Sequence, residues 1–217
     1  MRRFCNMSQV NLVARFREWR IDRLADRRAR RPHGRRARAT YGADDVHSFL
    51  WEPVLEALAL ASGDRLLDVG CGGGAFLRHV LATVGCEAAG LDHSRDMVRV
   101  ARAKSAGLRV VQADVTAMPF PDGEFTAVSC LVAFFFFPDP VAALREVRRV
   151  LDPERGRLAV MTTAPEAKGT PAAPYPLSTR GRFHTDDELV ALAREAGLRE
   201  PRIAYREPWA QLLVARR

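Results

Sequence analysis

Residues Arg65–Phe76 read Arg-Leu-Leu-Asp-Val-Gly-Cys-Gly-Gly-Gly-Ala-Phe, and they constrain this chain more than any other stretch. The apolar run Leu66–Val69 predicts a buried parallel strand. Gly70, Gly72, Gly73 and Gly74 end it, and the apolar positions Phe76, Leu77, Val80 and Leu81 then follow at helical spacing. A strand, a glycine turn and a helix bring a ligand against bare backbone. Glycine permits positive φ and leaves no Cβ in the way, while the helix N-terminus supplies unpaired donors and partial positive charge. Four glycines within five residues would weaken a fold unless something approached them closely.

From Leu66 onward, strand and helix signals alternate. Strands are expected at Leu66–Val69, Glu87–Leu91, Leu108–Ala113, Phe125–Leu131 and Arg157–Thr163, with closing runs at Arg202–Tyr205 and Ala210–Ala215. Helices are expected from Ala75, over Asp96–Ala106 and Pro140–Leu151, and over Asp186–Ala196 with Gly197 as its C′ residue. This alternation implies an α/β fold, a mostly parallel doubly wound sheet with helices on both faces. A terminal hairpin in place of another βα unit adds one antiparallel strand.

The amino-terminal 40 residues differ from the rest. They hold 13 arginines against Glu18, Asp22 and Asp26, so the net charge of +8 belongs to this arm and the remaining residues are slightly acidic. Residues 8–30 carry a helical apolar spacing, and a second helix is expected from Tyr41 to Leu60, capped by Asp44 or Asp45. We therefore expect a basic extension, residues 1–40, helical or flexible, and an α/β domain over 41–217. A basic arm can bind nucleic acid. Only two lysines accompany the 32 arginines, however, and no aromatic residues are interleaved with the arginine run at 27–38 as stacking platforms, so nucleic acid is a weak candidate partner. The four cysteines are scattered without C-x-x-C pairs, which argues against a metal site or a disulfide framework and suggests a cytoplasmic protein. No apolar run approaches 18 residues, so no membrane span is expected.

Two ligand fingerprints overlap at the glycine turn. Gly70-Cys-Gly72-Gly-Gly74-Ala75 satisfies G-x-G-x-x-[GA], the nicotinamide or flavin pattern. With Asp68 it also satisfies Asp-x-Gly-x-Gly-x-Gly. In open α/β sheets the ligand lies beyond the C-terminal strand ends, and Asp68, Asp92 and Asp114 stand at or near three of them. Asp92 follows Gly74 by 18 residues, where a carboxylate can accept ribose hydroxyls. Asp114, followed by the small apolar Val115, suits the amine and ring edge of adenine.

Leu-Leu-Asp-Val-Gly-Cys-Gly-Gly-Gly, Gly-Leu-Asp92-His93-Ser94, Gln-Ala-Asp114, Met-Pro-Phe-Pro-Asp-Gly-Glu-Phe and Leu-Arg-Glu-Val-Arg-Arg-Val-Leu occur in this order. The chain thereby resembles the small-molecule methyltransferases of the Rossmann-like (class I) superfamily, which depend on S-adenosylmethionine (SAM). The resemblance covers roughly residues 41–217. It implies a seven-stranded sheet with an antiparallel last strand. It also implies that Gly70, Gly72 and Gly74, with Cys71 and Cys130, border the cofactor, that Asp68 holds its amino group and that Asp92 holds its ribose. His93 and Met97 would flank the adenine, and Asp114 with Val115 would meet its edge.

Two departures from that pattern stand out. Many relatives carry His after the fourth strand, where this chain has Phe134-Phe135-Phe136-Phe137, so no histidine base is available there. Thr126 replaces an Asp that usually follows the fourth-strand Phe, a change expected to cost loop stability.

Methyl transfer asks for alignment, water exclusion and removal of the acceptor proton. His47 and His184 are the candidate bases, and Tyr41, Trp51, Phe134 and Phe135 are candidate walls for a small apolar or aromatic acceptor. Two other activities remain at this point, beside a non-catalytic SAM-binding partner subunit. A nucleic-acid methyltransferase would use the basic arm, but base-amine enzymes of that kind carry Asn/Asp-Pro-Pro-Tyr/Phe where this chain has Cys130-Leu131-Val132-Ala133. An NAD(P)-dependent oxidoreductase would leave Asp114 and the closing hairpin unexplained.

Overall fold

A computed structural model describes residues 18–21, 23, 32–34, 47–105, 107–175 and 177–217. The helix expected over 8–30 lies mostly outside them, as do Tyr41 and the candidate caps Asp44 and Asp45. A 3₁₀ turn at Ser48–Leu50 leads into α1 (Trp51–Leu58). Then follow β1 (Arg65–Val69), α2 (Ala75–Thr83), β2 (Glu87–Asp92), α3 (Arg95–Lys104), β3 (Arg109–Gln112) and β4 (Ala127–Leu131). The chain continues through α4 (Pro140–Val150), β5 (Arg157–Thr163), α5 (Leu177–Arg180), α6 (Asp186–Glu195), β6 (Arg199–Glu207) and β7 (Ala210–Arg216).

The seven strands form one sheet in the order β3-β2-β1-β4-β5-β7-β6. Strands β1 to β5 pair in parallel, and β7 runs antiparallel to both of its neighbours. This is the Rossmann-like sheet with an antiparallel last strand that the sequence implies. Adjacent residues of β1 feed opposite cores, as the pleat requires. Leu67 and Val69 pack with α4 and α6, while Leu66 packs with α1, α2 and α3. From β3 the chain returns past β1 to β4, and the strand order reverses between β1 and β4, which opens the crevice at the C-terminal strand ends.

Helix starts follow local chemistry. Asp139 caps α4 by accepting from the Ala142 amide, with Pro140 at the first helical position. Thr185 and Glu188 form a reciprocal capping box on α6. Strand β6 is longer than the expected Arg202–Tyr205. Its alternating exposure marks an edge strand whose polar residues hide it from an apolar-run search, and its pairing with β7 is broken by two register shifts.

Thr126 ties the segment before β4 to the start of β1. It is fully buried, its hydroxyl donates to Asp64 Oδ1 at 2.7 Å, and its Oγ1 accepts from the Arg65 amide at 2.9 Å. Arg157 Nη2 donates to Asp64 Oδ2 at 2.6 Å, so the join between β1, β4 and β5 is a satisfied network.

Candidate active site

Past Val69 the backbone turns with positive φ at Gly70 (75°), Gly72 (53°) and Gly74 (76°). Two of these glycines have distinct reasons. A Cβ on Gly70 would stand 2.5 Å from the Cβ of Ala133, because the loops after β1 and β4 touch there. A Cβ on Gly72 would meet nothing within 4 Å, so at Gly72 the bare backbone faces open space. The turn is tied to the end of β2. The Gly70 and Cys71 amides both donate to the Leu91 carbonyl, at 2.7 and 3.1 Å, and the Gly72 amide donates to Asp92 Oδ2 at 2.9 Å.

Asp92 ends β2 with its side chain aimed back across the turn. Its other oxygen accepts from the Ser94 amide at 2.7 Å. Burial raises its pKa, and the two backbone donors and His93 oppose that rise. Each carboxylate oxygen has accepted one N–H and keeps a lone pair, which suits two vicinal hydroxyls. Asp68 is buried in β1 and accepts the Ser129 hydroxyl on Oδ1 at 2.7 Å. Burial pushes its pKa up to about 7, with the Ser129 hydrogen bond opposing and the nearby Asp92 charge adding. Asp114 lies two residues beyond the end of β3 and is exposed. Its Oδ1 accepts from the amide and hydroxyl of Thr116, at 2.9 and 2.8 Å.

These groups border a cleft of about 500 Å³ at the C-terminal edge of the sheet. On the β2–β3 side it is lined by Asp92, His93, Met97, Asp114 and Val115. Asp68, Gly70, Cys71 and Gly72 form its floor beneath the switch point. On the β4–β5 side the lining is apolar, with Leu131, Val132 and Phe135 to Phe137. Thr163 comes from the end of β5, His47 precedes the Ser48–Leu50 turn, and Trp51 starts α1, which packs over β5 and β7. The Trp51 ring lies 5.9 Å from the Phe76 ring and 4.8 Å from that of His79. Among the described lining residues of this β4–β5 side, His47 is the only one with a titratable side chain, and burial lowers its pKa. Among the described residues no group of three His, Cys, Asp or Glu side chains could hold a metal ion.

Four of the expected site residues do not line the cleft. Gly74 starts α2, where a Cβ would crowd Ala101 at 3.2 Å, so its role is close packing. Cys130 and Phe134 point into the core against α4 and α6, because alternate residues of β4 and the turn after it take opposite faces. His184 is mostly buried against the Phe134 ring, 6.1 Å away, and its Nδ1 stands 3.9 Å from Glu188 Oε2. Burial lowers its pKa, yet it faces the packing behind the Phe run and not the cleft. Trp51 and Phe135 do line the cleft, and Tyr41 lies outside the described residues.

Three lining residues carried no sequence signal. Thr163 looks like an ordinary strand end, and Val132 like an ordinary apolar residue. Val132 in fact holds a φ of 57°, a strained conformation for a β-branched side chain, with its amide donating to the Met161 carbonyl at 2.8 Å. Pro32 enters the cleft from the basic arm, far away in sequence.

Comparison with known proteins agrees with this geometry. The methyltransferase domain family matches residues 67–160. The demethylmenaquinone methyltransferase of Thermus thermophilus is 36% identical over 136 residues, 60% of this chain and 60% of that protein. The ubiquinone biosynthesis O-methyltransferase of Thiobacillus denitrificans is 34% identical over 161 residues, 66% of this chain and 68% of that protein. Among solved structures, a SAM-dependent methyltransferase from Aquifex aeolicus superposes with a TM-score of 0.67 at 23% identity, over 82% of this chain and 96% of that one. With the glycine turn, the acids at the ends of β1 and β2 and the antiparallel β7, this chain belongs to the class I SAM-dependent methyltransferases.

Proposed function

We propose that the protein transfers a methyl group from SAM to a small, uncharged acceptor with an aromatic or otherwise apolar body. The observation that carries this reading is the asymmetry of the cleft. One side offers paired carboxylate oxygens, an open glycine backbone and the apolar Met97 and Val115, while the other offers rings, aliphatic groups and a single imidazole.

The residues present suit the nucleoside. Asp92 has acceptors left for two ribose hydroxyls, Met97 and Val115 are apolar neighbours for a planar base, and Asp114 can accept from an exocyclic amine. Asp68, held by Ser129, can meet the amino end as a carboxylate. The bound cofactor supplies an electrophilic methyl group and needs no metal for it. The chain's task is to hold the acceptor in line with that methyl, exclude water with Trp51 and the Phe135–Phe137 wall, and take up a proton. His47, which lines the acceptor side of the cleft, is the group we assign to the last step. Its lowered pKa keeps the imidazole neutral, and so able to accept, at neutral pH.

Relatives named for demethylmenaquinone and ubiquinone biosynthesis make quinols and catechols the first acceptors to test. Labelled SAM incubated with a panel of short-chain quinols, catechols, carboxylated phenols and RNA would check the reading. Transfer to the uncharged aromatic members, with none to RNA, is the expected result. Transfer to RNA alone would overturn it.

A further inference from the structure

Among the described residues, Pro32 is the only part of the basic arm that lines the cleft, and it is buried there. It is held by direct bonds to the segment that follows β2. The Ser94 hydroxyl donates to the Pro32 carbonyl at 2.7 Å, and the Gly34 amide donates to Asp96 Oδ2 at 2.8 Å. Ser94 is two residues from Asp92, and its amide is one of the two backbone donors fixing that carboxylate. The same short segment thus fixes the ribose-type acceptor on one side and anchors the arm on the other. At Gly34 the backbone has a φ of 79°, a conformation that favours glycine.

We infer that residues Pro32–Gly34 are a wall of the nucleoside half of the site, so that cofactor occupancy and docking of the arginine-rich arm are coupled. This deepens the methyltransferase reading and rests on it. A nucleoside seated against Asp92 and Met97 gains the Pro32 ring as a further apolar face, and by linkage the arm docks more firmly when the site is filled. Asp92 and Ser94 belong to the domain and Pro32 to the arm, so the two cannot be treated as independent pieces.

The test uses the full chain and S-adenosylhomocysteine as the probe, with affinity from calorimetry and trypsin cleavage after Arg35, Arg36 and Arg38 followed by mass spectrometry. Ser94→Ala removes the bond to Pro32 but also the oxygen that accepts the Met97 amide at 3.3 Å. Ser94→Thr, which keeps both, is the control for that cap. Gly34→Pro removes the amide donor to Asp96 and forbids the positive φ, and it touches no core residue. The inference predicts that the probe slows cleavage of the parent chain severalfold. It predicts that Ser94→Ala and Gly34→Pro each lose this protection and bind the probe about five- to tenfold more weakly, while Ser94→Thr retains both. Parent-like affinity in Gly34→Pro, with cleavage indifferent to the probe in every variant, would overturn the inference and leave the methyltransferase reading standing. No heat from the parent chain would instead overturn that reading, and this inference with it.

Discussion

The Ser129 hydroxyl reaches from β4 to Asp68 Oδ1 in β1 at 2.7 Å, and it supplies the hydrogen bond that a fully buried carboxyl beneath the glycine turn would otherwise lack. Burial still pushes the Asp68 pKa up to about 7. An acid whose folded pKa lies above its unfolded value near 3.8 binds more protons when folded, so its contribution to stability falls as pH rises from about 4 to about 7. Asp68→Asn should remove that fall. We expect the variant to match the parent near pH 4.5 in urea unfolding and to exceed it at pH 8, by as much as roughly 4 kcal/mol. Its affinity for SAM should drop at both pH values. Identical pH slopes for the two proteins would contradict the assignment.

Asp64 behaves in the opposite sense. Burial pushes its pKa up, but hydrogen bonds from Arg157 and Thr126 overcome that and hold the carboxyl well below the usual carboxylate range. Its stabilisation is therefore present above about pH 4 and lost as pH falls below it. Asp64→Ala leaves the mostly buried Arg157 guanidinium without its carboxylate and should cost about 3 kcal/mol at pH 7. Guanidinium chloride unfolding would show this as a lower midpoint with little change in the cofactor affinity of the folded fraction.

Gly70→Ala tests the contact between two loops. The added methyl would meet the Ala133 Cβ at 2.5 Å, on a backbone with φ of 75°. We expect a loss of about 2–3 kcal/mol. The double variant with Ala133→Gly should recover part of it, since the clash is relieved and the strained φ is not. Thermal melts of the three variants give the coupling directly, and strict additivity would argue against the contact.

Much of the fold could be read from the sequence because the parallel strands are short apolar runs whose successive residues must bury on both faces, as Leu66 and Leu67 do. The acids at the strand ends were also legible, since the position of a carboxylate after an apolar run is a one-dimensional fact. Asp114 sits two residues past β3 and not at its end, a small shift of this kind. What was not legible depends on how distant segments meet. Phe134 and Phe135 look equivalent, yet one faces the core and the other the cleft, because the 3₁₀ turn at Phe134–Phe136 splits their directions. His184 and His47 look equally plausible as bases until the path of the chain after β5 places one behind the Phe run. Pro32 carries no periodicity that could bring it to Ser94.

His47 is predicted to set the acid limb of the rate profile. A pKa lowered by burial places that limb below the ordinary histidine value near 6.5, with full activity at neutral pH. His47→Gln should reduce kcat by about 10²–10⁴ with a small effect on SAM affinity, and the acid limb should vanish. Retention of the limb in the variant would assign proton removal to another group or to solvent.

The most direct test is a calorimetric titration of the purified full chain with SAM and, in parallel, with NAD. The account predicts one-to-one binding of SAM, no binding of NAD, and a loss of at least tenfold in SAM affinity in Asp92→Ala, where the Gly72 and Ser94 amides lose their shared acceptor. Absence of heat with SAM, or an Asp92→Ala variant that binds it as the parent does, would contradict the claim that the glycine turn and Asp92 form the cofactor site.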